Sequence, residues 1–137
     1  MRPPEIVLRE LVVQWLDKAD SDLDAVEELS VHGDRFREII AFHCQQAVEK
    51  YLKAFLVRHQ VEFPKTHDIA KLVARCANID EHLAAHLAHA SVLTPYGVDA
   101  RYPGDLPEVL LGGDIEFLAI AKRVRSLVYG SLDAYLC

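Results

Sequence analysis

Apolar residues recur every three or four positions along most of this chain, which is the spacing of one face of an α-helix. The clearest case is the stretch 41–59, AFHCQQAVEKYLKAFLVRH, which contains no Gly or Pro. Its large apolar residues keep the helical period, and amide and charged residues lie between them. The pattern predicts a helix that builds a core and also carries a polar edge.

The same spacing predicts five helices in all. Their expected N-caps are short polar side chains that accept hydrogen bonds from the free amides of a first turn: Asp34, Thr66, Asp80 and Asp114. The predicted helices cover about 5–30, 34–59, 66–76, 80–93 and 114–137.

No stretch alternates apolar and polar residues as a strand does, and no repeat or linker divides the chain. A chain of 137 residues is long enough to bury a core of its own. We therefore predict one domain over 1–137, of the all-α class, folded as an antiparallel up-and-down bundle of four long helices plus a shorter one.

One long irregular stretch interrupts the helices, TPYGVDARYPGDLPEVLLGG at 94–113, with three of the six prolines and four of the six glycines. Long loops inside compact domains are uncommon and often carry function. This stretch is therefore a place to look for binding residues.

Charge and cysteine content narrow the class of protein. The net charge of -6 argues against indiscriminate nucleic-acid binding through a basic surface. Cys44 and Cys76 lie in helical apolar patterns and are expected to be small buried hydrophobes, and Cys137 to be free. With no disulfide framework, no signal-peptide pattern and no apolar run long enough for a membrane span, we expect a cytoplasmic location.

Four blocks of sequence resemble the signature blocks of the HEPN domain family. They are WLDKADSDLDAVEEL at 15–29, FHCQQAVEKYLKAFL at 42–56, KTHDIAKLV at 65–73 and DARYPGD at 99–105. The resemblance implies a small helical bundle that is usually a homodimer. Many such proteins are encoded beside a minimal nucleotidyltransferase, in pairs that can act as toxin and antitoxin. Others bind nucleotides, and many are metal-independent ribonucleases.

The ribonuclease members use an Arg followed by a His a few residues later. The His can take a proton from a ribose hydroxyl, and the Arg can hold the phosphate. Arg101 lies where the resemblance places the Arg, but no His follows it in the chain. Two other stretches match the bare spacing, Arg37 to His43 and Arg75 to His82, and both fall in other helices. The nuclease motif is therefore predicted to be incomplete.

We accordingly predict a nucleotide- or phosphate-binding and protein-interaction module that works with a minimal nucleotidyltransferase, with no catalytic residue, cofactor or metal assigned. Arg101 would bind phosphate and Tyr102 would stack on a base. The other candidate binding residues are Gln46, Lys50, Lys53 and His67. The alternative function is a metal-independent ribonuclease in which Arg101 works with a His from elsewhere in the fold, either His43 or His67.

Each candidate has a structural alternative. Glu49 and Lys53 are four residues apart, which suits an intrahelical ion pair. His67 could anchor its loop, and Asp22 could pair with Lys50 or Arg101. A separate group, His82, His86 and His89, shares one helix face and could mark a metal site or a dimer contact, but it borders an apolar stripe and is expected to be a solvated or dimer-facing flank.

Overall fold

The computed structural model describes residues 3–97 and 107–137, and the regular structure within these ranges is entirely helical. The all-α class is therefore confirmed. The α-helices are α1 (Pro4–Ser30), α2 (Arg37–Arg58), α3 (Ile69–Ala77), α4 (Glu81–Leu87) and α5 (Gly113–Leu136). Two 3₁₀ helices, Gly33–Phe36 and Ala88–Tyr96, precede α2 and follow α4.

The lengths of these helices differ from the prediction of four long ones. Three of them are long, since α1, α2 and α5 contain 27, 22 and 24 residues. The predicted fourth long helix is α4, which ends after 7 residues and continues as the 3₁₀ helix Ala88–Tyr96. Pro95 lies near the end of that segment, where its missing amide hydrogen prevents a regular α-helix from continuing to Tyr96.

The predicted caps have mixed outcomes. Asp80 caps α4, because its carboxylate accepts a hydrogen bond from the Leu83 amide at 2.9 Å. The N-cap of α3 is Asp68 instead of Thr66, since the Asp68 carboxylate accepts from the Ala70 amide at 3.0 Å. The Thr66 hydroxyl accepts from the Asp68 amide instead and so shapes the turn before α3.

The predicted caps Asp34 and Asp114 are wrong. In each case the N-cap is a residue two positions away. The N-cap of α2 is Phe36, because Asp34 falls inside the preceding 3₁₀ helix and makes no side-chain cap. The N-cap of α5 is Gly112, with a left-handed φ of +84°. Asp114 lies within the first turn of α5, where a carboxylate interacts favourably with the helix dipole.

Helix α2 forms the centre of the fold, and it packs against α1, α3, α5 and the second 3₁₀ helix. Its large apolar residues Tyr51, Leu52 and Leu56 are fully buried, as is Cys44. Burial raises the pKa of the Cys44 and Cys76 thiols to about 12, so both act as small hydrophobes, as predicted.

A polar junction at Asp20 joins α1, α2 and α5. The Asp20 carboxylate accepts hydrogen bonds from the Tyr51 hydroxyl of α2, and from the Tyr129 hydroxyl and the Arg125 Nε of α5 at 2.7 and 3.1 Å. Burial, together with the Asp20 charge, raises the pKa of Tyr51 and brings that of Tyr129 to about 12. Both phenols therefore stay protonated donors, and one carboxylate links three helices.

None of the described helices combines the length and the apolar character that a bilayer span requires.

We expect Asp20→Ala to lower the free energy of unfolding by about 1 to 3 kcal/mol, because it leaves the buried Tyr51 hydroxyl without its acceptor. Asp24→Ala is the matched control, since Asp24 is an exposed aspartate one turn along the same helix and should change stability by less than about 0.5 kcal/mol. Urea unfolding followed by circular dichroism measures both. Equal midpoints for the two variants would show that the junction does not stabilise the fold.

Candidate functional site

The polar edge of α2 is built around the carboxylate of Glu49, which is 4 % exposed. One oxygen accepts from the Lys53 ammonium one turn along the helix at 3.0 Å, which is the predicted ion pair. The other oxygen lies 2.7 Å from Nδ1 of His67, in the turn before α3. A buried carboxylate is stable only when it is paired and hydrogen-bonded, and these two groups satisfy that condition.

Gln45 completes this arrangement from one turn earlier in α2. Its amide nitrogen donates to Glu49 at 3.3 Å and to the main-chain carbonyl of His67 at 3.0 Å. Its amide oxygen accepts from Gln46 at 2.8 Å. Gln45 is fully buried, so its amide positions both the Glu49 carboxylate and the backbone of His67.

The second 3₁₀ helix reaches this site at its end. A Cβ added to Gly97 would lie 2.4 to 2.7 Å from the side-chain amide of Gln45, closer than any real contact. Glycine at this position therefore lets the backbone lie directly on the Gln45 amide. The Thr94 hydroxyl also accepts from the Ile69 amide at 3.1 Å, which ties this segment to the start of α3.

A second carboxylate–histidine pair lies further along the same edge. Lys50 of α2 donates to one oxygen of Asp22 of α1, as the sequence suggested, and Nδ1 of His43 lies 2.9 Å from the other oxygen. The His43 side chain is 31 % exposed, compared with 60 % for His67. Two imidazoles are thus held by their Nδ1 atoms, and His67 is the more accessible.

In each neutral ring, the contact from Nδ1 to a carboxylate places the proton on Nδ1 and leaves the lone pair on Nε2. Such an imidazole can accept a hydrogen bond or a proton when neutral and can contact an anion when protonated. His67 therefore has the exposure and the orientation of a group that can act on a ligand.

The predicted binding residues occupy different positions in this arrangement. His67, Gln46 and Lys50 lie at the accessible edge, where Gln46 and Lys50 are half-buried. Lys53 is 8 % exposed and is occupied by Glu49, with its ammonium 5.6 Å from the ring centre of Trp15. Arg101 and Tyr102 lie outside the described residues.

Two positioning residues were not among the predicted site residues. Gln45 points into the protein, whereas the adjacent Gln46 lies at the polar edge. Which of the two is buried depends on the segments that pack against α2. Gly97 was visible only as a turn residue in TPYG. Neither role has a local sequence signal, because both arise from a contact between segments far apart in the chain.

The histidine group on α4 and the following 3₁₀ helix makes contacts other than metal ligation. The rings of His82 and His86 are 4.7 Å apart, and the Arg123 guanidinium lies 3.3 Å from Nδ1 of His86. Within 3–97 and 107–137, no group of three or more His, Cys, Asp or Glu side chains is arranged to hold a metal ion.

The family model of the HEPN domain matches residues 12–129. Comparison with curated proteins gave no significant match, and comparison with solved structures gave none either. The match covers most of the 137 residues, and the chain belongs to the HEPN domain family.

We expect Gly97→Ala to destabilise the protein by about 1 to 3 kcal/mol, because the new methyl group displaces the buried Gln45 amide from its hydrogen bonds. Gly130→Ala is the control, for which we expect the stability to change in the opposite direction. Gly130 is inside α5 with open space around it, so alanine should stabilise by about 0.5 to 1 kcal/mol. Thermal and urea unfolding test both variants, and a neutral Gly97→Ala would contradict the close approach.

Glu49→Ala should cost about 3 to 5 kcal/mol, because it leaves the buried Lys53 ammonium without its carboxylate. The double variant Glu49→Leu with Lys53→Met replaces the pair with apolar groups of similar size and should recover most of that loss. Urea midpoints of the single and double variants measure the effect. A double variant as unstable as Glu49→Ala would show that the unpaired charge is not the source of the cost.

Proposed function

We propose that this HEPN-domain chain is a nucleotide- or phosphate-binding and protein-interaction module, with its ligand held at the polar edge of α2. The observation that carries the proposal is His67, an exposed imidazole held by a buried carboxylate that two other side chains also contact. Burying a charge is costly, and here the buried Glu49 carboxylate fixes the orientation of the exposed His67 ring, which supports a role for that ring in binding.

The accessible groups at this edge are donors suited to an anion. Lys50 supplies an ammonium, Gln46 an amide N–H and His67, in its protonated form, an Nε2–H. Arg101 follows Gly97 by four residues in the sequence, and Gly97 lies on Gln45. In the proposal, Arg101 adds a bidentate phosphate contact and Tyr102 a stacking surface.

The interaction part of the proposal rests on the family and on the surface. Many HEPN proteins are encoded beside a minimal nucleotidyltransferase, and we propose such a protein, together with a second copy of this chain, as partners. Large apolar side chains that are more than two-thirds exposed precede and begin α5, namely Leu110, Leu111 and Ile115. Exposed apolar groups that cluster in this way are typical of protein contact surfaces.

A ribonuclease remains the second candidate, and the Glu49–His67 contact favours it. Nε2 of His67 could take the proton from a ribose 2′-hydroxyl while Arg101 stabilises the charge on the phosphate. This pair would replace the Arg–His motif that the sequence lacks.

Titrations of AMP, ATP and a short single-stranded RNA by calorimetry test the binding proposal. Arg101→Ala and His67→Ala should each weaken binding about tenfold or more, since a hydrogen bond to a charged group contributes about 1.5 to 3 kcal/mol. Arg123→Ala, which removes an exposed arginine of α5, is the control and should leave Kd unchanged.

Two outcomes of this experiment count against the proposal. Absence of binding to all three ligands would reject it. Cleavage of the RNA in the presence of a metal chelator, lost in both Arg101→Ala and His67→Ala, would establish the ribonuclease in its place.

A further inference from the structure

A cavity of about 650 Å³ lies on the α1 side of the polar edge, separate from His67. It is open to solvent, and it is lined by one flank of α1 from Leu11 to Asp22 and by Lys50 of α2. Its volume is within the range of about 300 to 1,000 Å³ that is usual for small-molecule sites. Among the predicted binding residues that the structure describes, Lys50 lines it, and Gln46, Lys53 and His67 do not.

Leu11 and Trp15 give the cavity an apolar and aromatic side, and Gln14 and Ser21 add polar groups to its lining. Leu11, Trp15 and Lys18 recur at a spacing of three to four, so they share one helix face. Trp15 is half-buried and Leu11 is 44 % exposed, which leaves apolar surface open to the cavity. The Lys53 ammonium beside the Trp15 ring holds the indole in place through a cation–π contact.

Four charged residues line the cavity, and two of them, Asp17 and Lys18, form no ion pair within the described residues. The carboxylate of Asp22 is occupied by Lys50 and His43. Asp17 also lines the cavity, and because it follows Trp15 by two residues it lies on the opposite side of the lining face from the indole. Lys18 is exposed and forms no ion pair with any residue in the described part of the chain.

An open aromatic ring beside a free ammonium is suited to a ligand that is itself a planar ring carrying an anion. A purely apolar ligand would leave Lys18, Lys50 and Asp22 desolvated, and a simple anion would have no use for the indole wall. A nucleoside phosphate has both features, because its base can stack on Trp15 and its phosphate can contact Lys18.

We infer that this cavity is the base-binding subsite of the nucleotide site, with the base on Trp15 and the phosphate on Lys18 beside Lys50. The inference rests on the proposed function. The inference adds a location and a ligand class to the proposed function. The cavity and the polar edge are connected, because Lys50 belongs to both and the contacts His67–Glu49–Lys53–Trp15 run between them.

The test uses the intrinsic fluorescence of Trp15, which is the chain's only tryptophan. The wild-type protein is titrated with AMP, adenosine, inorganic phosphate and a three-nucleotide RNA. Stacking predicts saturable quenching by AMP and, more weakly, by adenosine, with none by phosphate. Quenching by the RNA at lower concentrations than by AMP would identify a nucleotide within a strand as the ligand, and the reverse order a free nucleotide.

Two variants, measured by calorimetry, separate the contributions of the ring and the cation. Trp15→Leu should weaken the binding of both AMP and adenosine about tenfold. Lys18→Ala should weaken AMP about fivefold and leave adenosine unchanged, while Lys71→Ala, an exposed lysine of α3, serves as its control. Lys18 is a surface residue, so its variant tests the cavity even if Trp15→Leu folds poorly.

Failure of this inference can be told apart from failure of the proposed function. AMP binding that depends on Arg101 or His67 but leaves Trp15 fluorescence and the Lys18→Ala affinity unchanged would overturn the subsite and keep the function. Absence of any nucleotide binding would overturn both.

Discussion

Burial of the Glu49 carboxylate is the constraint on which the site depends. A charge can remain in a protein interior only when nearby groups replace its lost hydration. Here the hydration of Glu49 is replaced by contacts with Lys53, Gln45 and His67, and each contact fixes the position of another segment. Lys53 is kept against Trp15 of α1, Gln45 receives the backbone at Gly97, and His67 is held at the surface in front of α3. One carboxylate thus sets the positions of three separate segments.

Helix α2 provides the core and the site from the same turns. Tyr51 and Leu52 are buried next to Glu49 and Lys53 in sequence, so the polar groups rest on a well-packed helix. The Asp20 junction adds hydrogen bonds from α2 and α5 to α1 and restricts how these helices can shift. A site supported by rigid elements keeps its side chains in place, which favours selective binding of a ligand with defined geometry.

Both histidine–carboxylate contacts bear on the question of catalysis in this HEPN-domain protein. The sequence has an Arg at the expected place without the His that would follow it. Helix α2 itself carries His43, and the fold brings His67 beside α2 from the turn before α3, each with Nδ1 on a carboxylate. An imidazole whose Nδ1 is held by a carboxylate can use Nε2 either to hydrogen-bond a ligand or to accept a proton from it. The proposed binding and the alternative cleavage would therefore use the same imidazoles.

Local and periodic features could be read from the sequence alone. The helical class, the long helices α1, α2 and α5, the Asp80 cap and the Glu49–Lys53 pair all depend on residues within a few positions of one another. Only the tertiary structure decided the rest. Gln45, Gly97 and the Trp15 cavity gain their roles from contacts between segments distant in sequence, and a helical period says which residues share a face but not what packs against it.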